Sequence, residues 1–249
     1  MKYTFWKYYL PTEVIFGVNS LSQLPFIVKN FDTQSILLVT GCKSMFDRGI
    51  VAQIHDYLSN CKINLLKGIK PNPSFEDIKN SLKFAKRYEN QLIIALGGGS
   101  VIDTAKALSI LLTNDKNITG LIDNPSKIIN KGIPLIAIPT TAGTGSEVTP
   151  FATIWDRKNK LKYSLNSRKI YPKTAIIDPE LSLSLSPYQT ACTGLDALTH
   201  AIEAYWSRNS QPVTDCLALE AISLISENLL KVHHEPDNIK ARTNMMNAS

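Results

Sequence analysis

Asp196 and His200 stand four residues apart in the run Thr193-Gly194-Leu195-Asp196-Ala197-Leu198-Thr199-His200-Ala201-Ile202-Glu203-Ala204-Tyr205. On a helix, positions i and i+4 share a face with their side chains stacked. A carboxylate oxygen and an imidazole nitrogen placed so can reach one divalent cation. At about 100° per residue, Thr193, Asp196, His200 and Glu203 fall on one side, and Leu195, Leu198, Ile202 and Tyr205 on another. Half of a metal site is therefore readable. The same spacing also fits an ordinary surface hydrogen-bonded pair, so the reading depends on what accompanies it.

Two loops accompany it. Gly97-Gly98-Gly99-Ser100 follows the apolar run Leu92 to Leu96 and opens a helical pattern. Glycines there let the backbone approach a diphosphate, and the free amides at a helix start favour an anion. Tight turns also need glycine, so the run gains weight from its strand–loop–helix context. The second loop, Pro139 to Thr149, again follows an apolar run and supplies five hydroxyls and two glycines. Open α/β sheets bind ligands at such strand ends. After a third run, Gly41-Cys42-Lys43-Ser44 has no acid to bond an adenosine ribose 2′-hydroxyl. That leans towards NADPH among the NAD(P)H cofactors.

These segments need elements to position them. Glu13–Phe16, Ser35–Thr40, Ile63–Leu66, Leu92–Leu96 and Leu135–Ile138 read as strands; Leu21–Val28, Phe46–Leu58 and a segment from Ser74 to about Tyr88 read as helices. Ser74 is the expected N-cap of the last. Apolar strands without alternation, separated by helices, predict a parallel sheet covered on both faces. From about Asp178 helices take over: Pro187–Ser207, Val213–Lys231, and one from near Asp237 onward. The expected fold is an α/β Rossmann-like N-terminal domain over residues 1–184, followed by the start of an all-helical C-terminal domain over residues 185–249.

Composition bounds the rest. The chain has 249 residues, 44% hydrophobic and 19% charged, which suits a globular protein. Its net charge of +6 comes from scattered lysines. This favours anionic ligands weakly and argues against a nucleic-acid partner. Cys42, Cys61, Cys192 and Cys216 form no C-x-x-C pair, as expected of reduced thiols. Met1 to Tyr9 lacks the apolar core of a signal peptide, and no run reaches the ~18 apolar residues of a membrane helix. A soluble, cytoplasmic protein with no membrane partner is the expectation. No Ser/His/Asp or Cys/His set is identifiable, and Cys192 reads as a packed small residue.

Taken together, Gly97-Gly98-Gly99-Ser100-Val101-Ile102-Asp103-Thr104-Ala105-Lys106, the Pro139–Thr149 loop and Thr193–Tyr205 resemble the signature segments of the iron-containing (group III) alcohol dehydrogenase family. All three occur in the family's order, and the resemblance runs from about Glu13 to Ser249. It implies a Rossmann-like domain, a helical domain and a cleft between them. It implies Asp196 and His200 as two ligands of Fe(II), and a homo-oligomer, a dimer, for the full-length protein. The cofactor-binding set it implies is Gly41, Asn72, Gly97, Gly98, Gly99, Ser100, Asp103, Thr140, Thr141, Thr144, Ser146, Val148 and Lys162. The family's two further histidine ligands lie in segments beginning just past a stretch like Ala241–Ser249, so the chain is expected to be a C-terminally truncated member. His233 and His234, beside Glu235-Pro236, read as surface residues. The implied reaction is hydride transfer between the nicotinamide and a small aldehyde or alcohol. Ala191–Asp196 and Tyr205–Asn209 look similar to phosphonoacetaldehyde reductases, which form 2-hydroxyethylphosphonate. Two alternatives stay open. One is a glycerol dehydrogenase-like enzyme with Zn(II), and the other is a nucleotide-binding fragment without catalysis.

Overall fold

The computed structural model describes residues 5–114 and 117–249; Met1–Thr4, part of the N-terminal segment read above, lie outside the described residues. Its centre is a six-stranded sheet. The strands are β1 (Glu13–Phe16), β2 (Ser35–Thr40), β3 (Lys62–Leu66), β4 (Leu92–Gly97), β5 (Leu135–Pro139) and β8 (Thr174–Ile177), in the order β1-β8-β5-β4-β2-β3 and parallel throughout. A separate antiparallel hairpin joins β6 (Phe151–Asp156) to β7 (Leu161–Asn166).

Period two explains why the central strands are apolar without alternation. Leu37, Val39, Ile93, Ala95 and Ala137 point into one core, which helices α4 (Phe75–Ala85), α5 (Gly99–Leu111) and α6 (Ile118–Asp123) help to build. Their neighbours Ile36, Leu38, Leu92, Ile94, Leu96, Ile136 and Ile138 point into the other, with α1 (Leu24–Lys29), α2 (Ser44–Asp47) and α3 (Ile50–Tyr57). Both faces are buried, so both parities must be hydrophobic. A third core belongs to α7 (Pro187–Trp206), α8 (Pro212–His234) and α9 (Ile239–Asn247), and includes Ala197, Ile225, Val232 and Met245.

Local chemistry sets the boundaries. Ser74 caps α4: its hydroxyl accepts from the Asp77 amide at 3.2 Å, and its own amide donates to the Asp77 carboxylate at 2.8 Å. Ser186 and Gln189 form the same reciprocal box at the start of α7. The single helix expected over Phe46–Leu58 is instead two, because Gly49 takes φ +73° between α2 and α3. That left-handed backbone interrupts the ladder at a residue that tolerates it. Three further elements were absent from the sequence reading: α6, strand β8 and the complete β6–β7 hairpin.

The helix expected at α7 forms, and packing decides which side of it is buried. Its buried stripe is Thr190, Gly194, Ala197 and Ala201, whereas Leu195 and Tyr205 are exposed. Small residues win because α8 packs closely there. A Cβ on Gly194 would sit 2.3 Å from Leu229 Cδ1. No helix among the described residues is long and apolar enough to cross a membrane.

The Ser74 box is a direct test of this local logic. Ser74→Ala should cost about 1 kcal/mol and lower the melting temperature by roughly 2–4 °C in a chain of this size. Thermal unfolding followed by circular dichroism measures it; an unchanged midpoint would show that the cap does not hold α4.

Candidate functional site

Adjacent strands β4 and β5 end together, with Gly97 paired to Pro139. Their following loops therefore leave the sheet side by side at its carboxyl edge. The Thr140 amide donates back to the Gly97 carbonyl at 3.2 Å. From Gly97 the chain enters α5, whose N-cap is Gly98, with no side-chain cap and no acidic residue in the first turn. The positive end of a 13-residue helix thus faces the space between the loops uncapped. A Cβ on Gly98 would lie 3.1 Å from Thr141 Oγ1, and one on Gly99 only 2.9 Å from Thr144 Oγ1. The second loop presses on the first where only glycines leave room.

That space is a cleft of about 1520 Å³. Of the expected cofactor residues, Gly41, Asn72, Gly97, Gly98, Gly99, Ser100, Asp103, Thr140, Thr141, Thr144, Ser146 and Lys162 all line it. Asp196 and His200 line it too, from α7. Val148 does not. It packs against the apolar core of the helical region instead.

Several rim residues are held in place by the protein. Asn72, between Pro71 and Pro73, takes φ +58°, and its amide donates to Ser100 Oγ at 3.0 Å. The Ser100 hydroxyl accepts that bond, so its own proton remains to be donated. Lys162 lies with its ammonium 4.6 Å from the centroid of the Trp155 ring, a cation–π contact along the hairpin. Lys43, in the loop after β2, is exposed and 3.8 Å from Asp47, an acid on the helix that follows.

Asp103 is engaged internally. One carboxylate oxygen accepts from Ser146 Oγ at 3.1 Å and the other from the Thr153 amide at 2.9 Å. It therefore ties the second loop and the hairpin to α5. One turn on, Lys106 is fully buried and donates to Thr149 Oγ1 at 3.2 Å and the Phe151 carbonyl at 2.7 Å. Glu147 is buried beside them. Burial pushes both carboxyls, Asp103 and Glu147, above their usual range against the attraction of Lys106. It pulls the Lys106 ammonium down to about 8, against the attraction of both acids. The sequence reading assigned no role to Lys106 or Glu147. A lysine three residues after Asp103, in the mostly apolar stretch Val101–Leu111, was the available signal, since a buried cation needs partners.

Asp196 and His200 are half-exposed on α7, with Nε2 of the histidine 3.8 Å from Oδ1 of the aspartate. His200 Nδ1 lies 3.1 Å from the Gly143 carbonyl oxygen. A carbonyl only accepts, so Nδ1 carries a proton, and in the neutral form of the ring Nε2 presents its lone pair. Two electron-pair donors then face each other, at less than the ~4.2 Å sum of two metal–ligand bonds. The pair fits part of a divalent centre. Among the described residues no group of three or more His, Cys, Asp or Glu completes one. His233 and His234 sit at the end of α8, with His233 Nδ1 near the Pro187 carbonyl.

Lys106 gives the site a pH signature. Its folded pKa of about 8 lies below the usual 10.5, so the unfolded chain binds more protons between those values. Stability from this group therefore rises with pH across that window. Lys106→Met should lose this rise, so the wild-type advantage in urea unfolding should grow from pH 8 to 10.5; a constant difference would contradict the burial argument.

The chain is similar to known proteins along most of its length. Residues 11–179 match the model of the iron-containing alcohol dehydrogenases, and residues 190–249 match that of the Fe-containing alcohol dehydrogenase family, C-terminal. The NADPH-dependent butanol dehydrogenase of Clostridium saccharobutylicum is 38% identical over 90% of the chain and 58% of that protein. The 1,3-propanediol dehydrogenase of Citrobacter freundii is 35% identical over the whole chain and 65% of its own length. The crystal structure of sulfoacetaldehyde reductase from Bifidobacterium kashiwanohense, in complex with NAD+, superposes with a TM-score of 0.93 at 32% identity, over 98% of this chain and 65% of that one. The chain thus spans roughly three-fifths of the length of such relatives. By these matches over nearly its whole length, it belongs to the iron-containing alcohol dehydrogenase family.

Proposed function

We propose that this chain forms the nucleotide-binding part and the first half of the metal site of an NAD(P)H-linked aldehyde reductase, acting on a small aldehyde or alcohol. The observation that carries this reading is that both strand-end loops and the Asp196–His200 pair line one cleft. When bound, NAD(P)H supplies a hydride and Fe(II), or alternatively Zn(II), polarises the carbonyl oxygen.

The chain's own residues bind and orient. The uncapped start of α5 and the Ser100 hydroxyl would hold the diphosphate, with Thr140, Thr141 and Thr144 across from it. Lys162 and Asn72 would flank the nucleotide from the hairpin side. Asp196 and His200 would hold the cation at the far wall, where α7 meets the second loop. Asp103 fixes Ser146 and the hairpin in place, a positioning task, since both its oxygens are already engaged. NADPH is favoured over NADH by the acid-free Gly41–Ser44 loop. A basic chain and relatives named for sulfoacetaldehyde support an anionic aldehyde, and phosphonoacetaldehyde is the substrate we propose. We read the division at residues 184/185 as the domain boundary and the assembled protein as a homodimer. Exposed Phe5 and Trp6, in the segment that leads into edge strand β1, support association.

Oxidation of NADPH at 340 nm with added Fe(II), against phosphonoacetaldehyde, sulfoacetaldehyde and simple aldehydes, tests the activity. Turnover lost on adding a chelator is the expected result. NADPH consumption indifferent to Fe(II) would refute the metal role. Independently of turnover, Gly98→Asp should weaken NADPH binding by at least about 10-fold, roughly 1.4 kcal/mol, because its carboxylate meets Thr141 and repels the diphosphate. Fluorescence titration reads it, and unchanged affinity would misplace the phosphate loop.

A further inference from the structure

Gly143 sits between the two halves of the cleft and is fixed on both sides. Its amide donates to Ser249 Oγ at 3.0 Å, and its carbonyl accepts from His200 Nδ1 at 3.1 Å. A Cβ at this position would lie 2.6 Å from the Thr193 carbonyl oxygen, so the loop's backbone abuts α7 one turn before Asp196. Its neighbours in the loop, Thr141 and Thr144, press on Gly98 and Gly99. A continuous line of contacts therefore runs from the glycine loop through Thr141 and Thr144 to Gly143 and on to His200.

We infer that Gly143 is a positioning residue that couples the nucleotide loop to the cation pair: its carbonyl holds His200 as the Nδ1–H tautomer, so occupancy of either site changes affinity at the other. The inference rests on the proposed nucleotide and cation sites. Its physical basis is narrow. The hydrogen bond tolerates only a few tenths of an ångström before it weakens. A loop drawn against a seated diphosphate carries the Gly143 carbonyl with it. The imidazole's orientation and tautomer change with it, because that carbonyl is the protein acceptor that fixes its Nδ1–H. A hydrogen bond from the nitrogen of a ligand imidazole that faces away from the cation sets both ring orientation and ligand basicity. Coupling between two binding sites is reciprocal by thermodynamic necessity.

Two measurements decide the matter. Long-range 1H–15N correlation spectra of the neutral imidazoles report the tautomer, with His200 assigned by its loss in His200→Gln. The expected His200 pattern is protonation on Nδ1; an Nε2–H ring would overturn the inference in the unaltered protein. The second is the NADPH dissociation constant with and without Zn(II). The wild type should show a ratio on the order of 10-fold. In Gly143→Ala the ratio should collapse to within about twofold, under 0.5 kcal/mol. A merely structural role would weaken NADPH binding equally under both conditions and leave the ratio unmoved, which overturns the coupling. NADPH binding with no response to Zn(II) in the wild type overturns the coupling while leaving the nucleotide site standing. No NADPH binding at all overturns both.

Discussion

The last rung of one ladder organises this molecule. Because Gly97 pairs with Pro139 in parallel, the loops after β4 and β5 begin about one strand spacing apart and point the same way. Parallel pairing puts every strand's carboxyl end on one edge. With both faces of the sheet sealed by apolar packing, that edge is where polar loops can gather. The glycine loop, the hydroxyl-rich loop and the β2 loop all gather there. α7 closes the space, held against the second loop by Gly143 contacts that a side chain would break.

Beneath that edge lies an unusual compromise. Asp103, Lys106 and Glu147 are all buried, in a layer that is otherwise aliphatic. Burying charge is costly, and its net contribution to stability is often small. The directional bonds are what the cluster adds. Asp103 reaches Ser146 and the hairpin, and Lys106 reaches Thr149 and Phe151. Apolar side chains of equal volume would fill the space without aiming the loop. Here a polar core is a means of specifying where one surface loop stands.

Which parts could be read from the residues follows from the same physics. β2, β4 and β5 announce themselves because two buried faces confine polar residues to the ends of β2, at Ser35 and Thr40. Ser74 and Gly97–Ser100 announce themselves because caps and phosphate loops need particular residue types. β8 is four residues long and carries too little pattern to separate from a loop. The hairpin strand β7 alternates apolar residues with the polar Lys162, Ser164 and Asn166, which are exposed, and pairing with β6 is what places Lys162 on the cleft. In helix α7 the large residues Leu195 and Tyr205 share one side as spaced, but close approach by α8 makes the smallest residues the buried stripe. As for the site, the expected ligands and all but one of the expected cofactor residues line the cleft, yet lining is not contact. Residue spacing could not reveal that both oxygens of Asp103 were already taken.

The edge strand carries one more implication, for how the chain is made. Among the described residues β1 is the first strand in sequence, but the strand it pairs with in the sheet is β8, the last; Glu13 pairs with Thr174, and Thr12 donates to the Pro172 carbonyl. Just beyond, the Asp178 carboxylate accepts from the Asn19 and Leu21 amides. During synthesis the amino-terminal segment therefore emerges long before anything exists for it to join. At ordinary elongation rates the wait is roughly 10–30 s. Throughout that interval β2 to β5 can assemble locally, while an apolar strand and its aromatic flank stay open. The ribosome-bound nascent chain then carries β1 open to wrong partners, and the sheet is completed by the earliest-made of its strands.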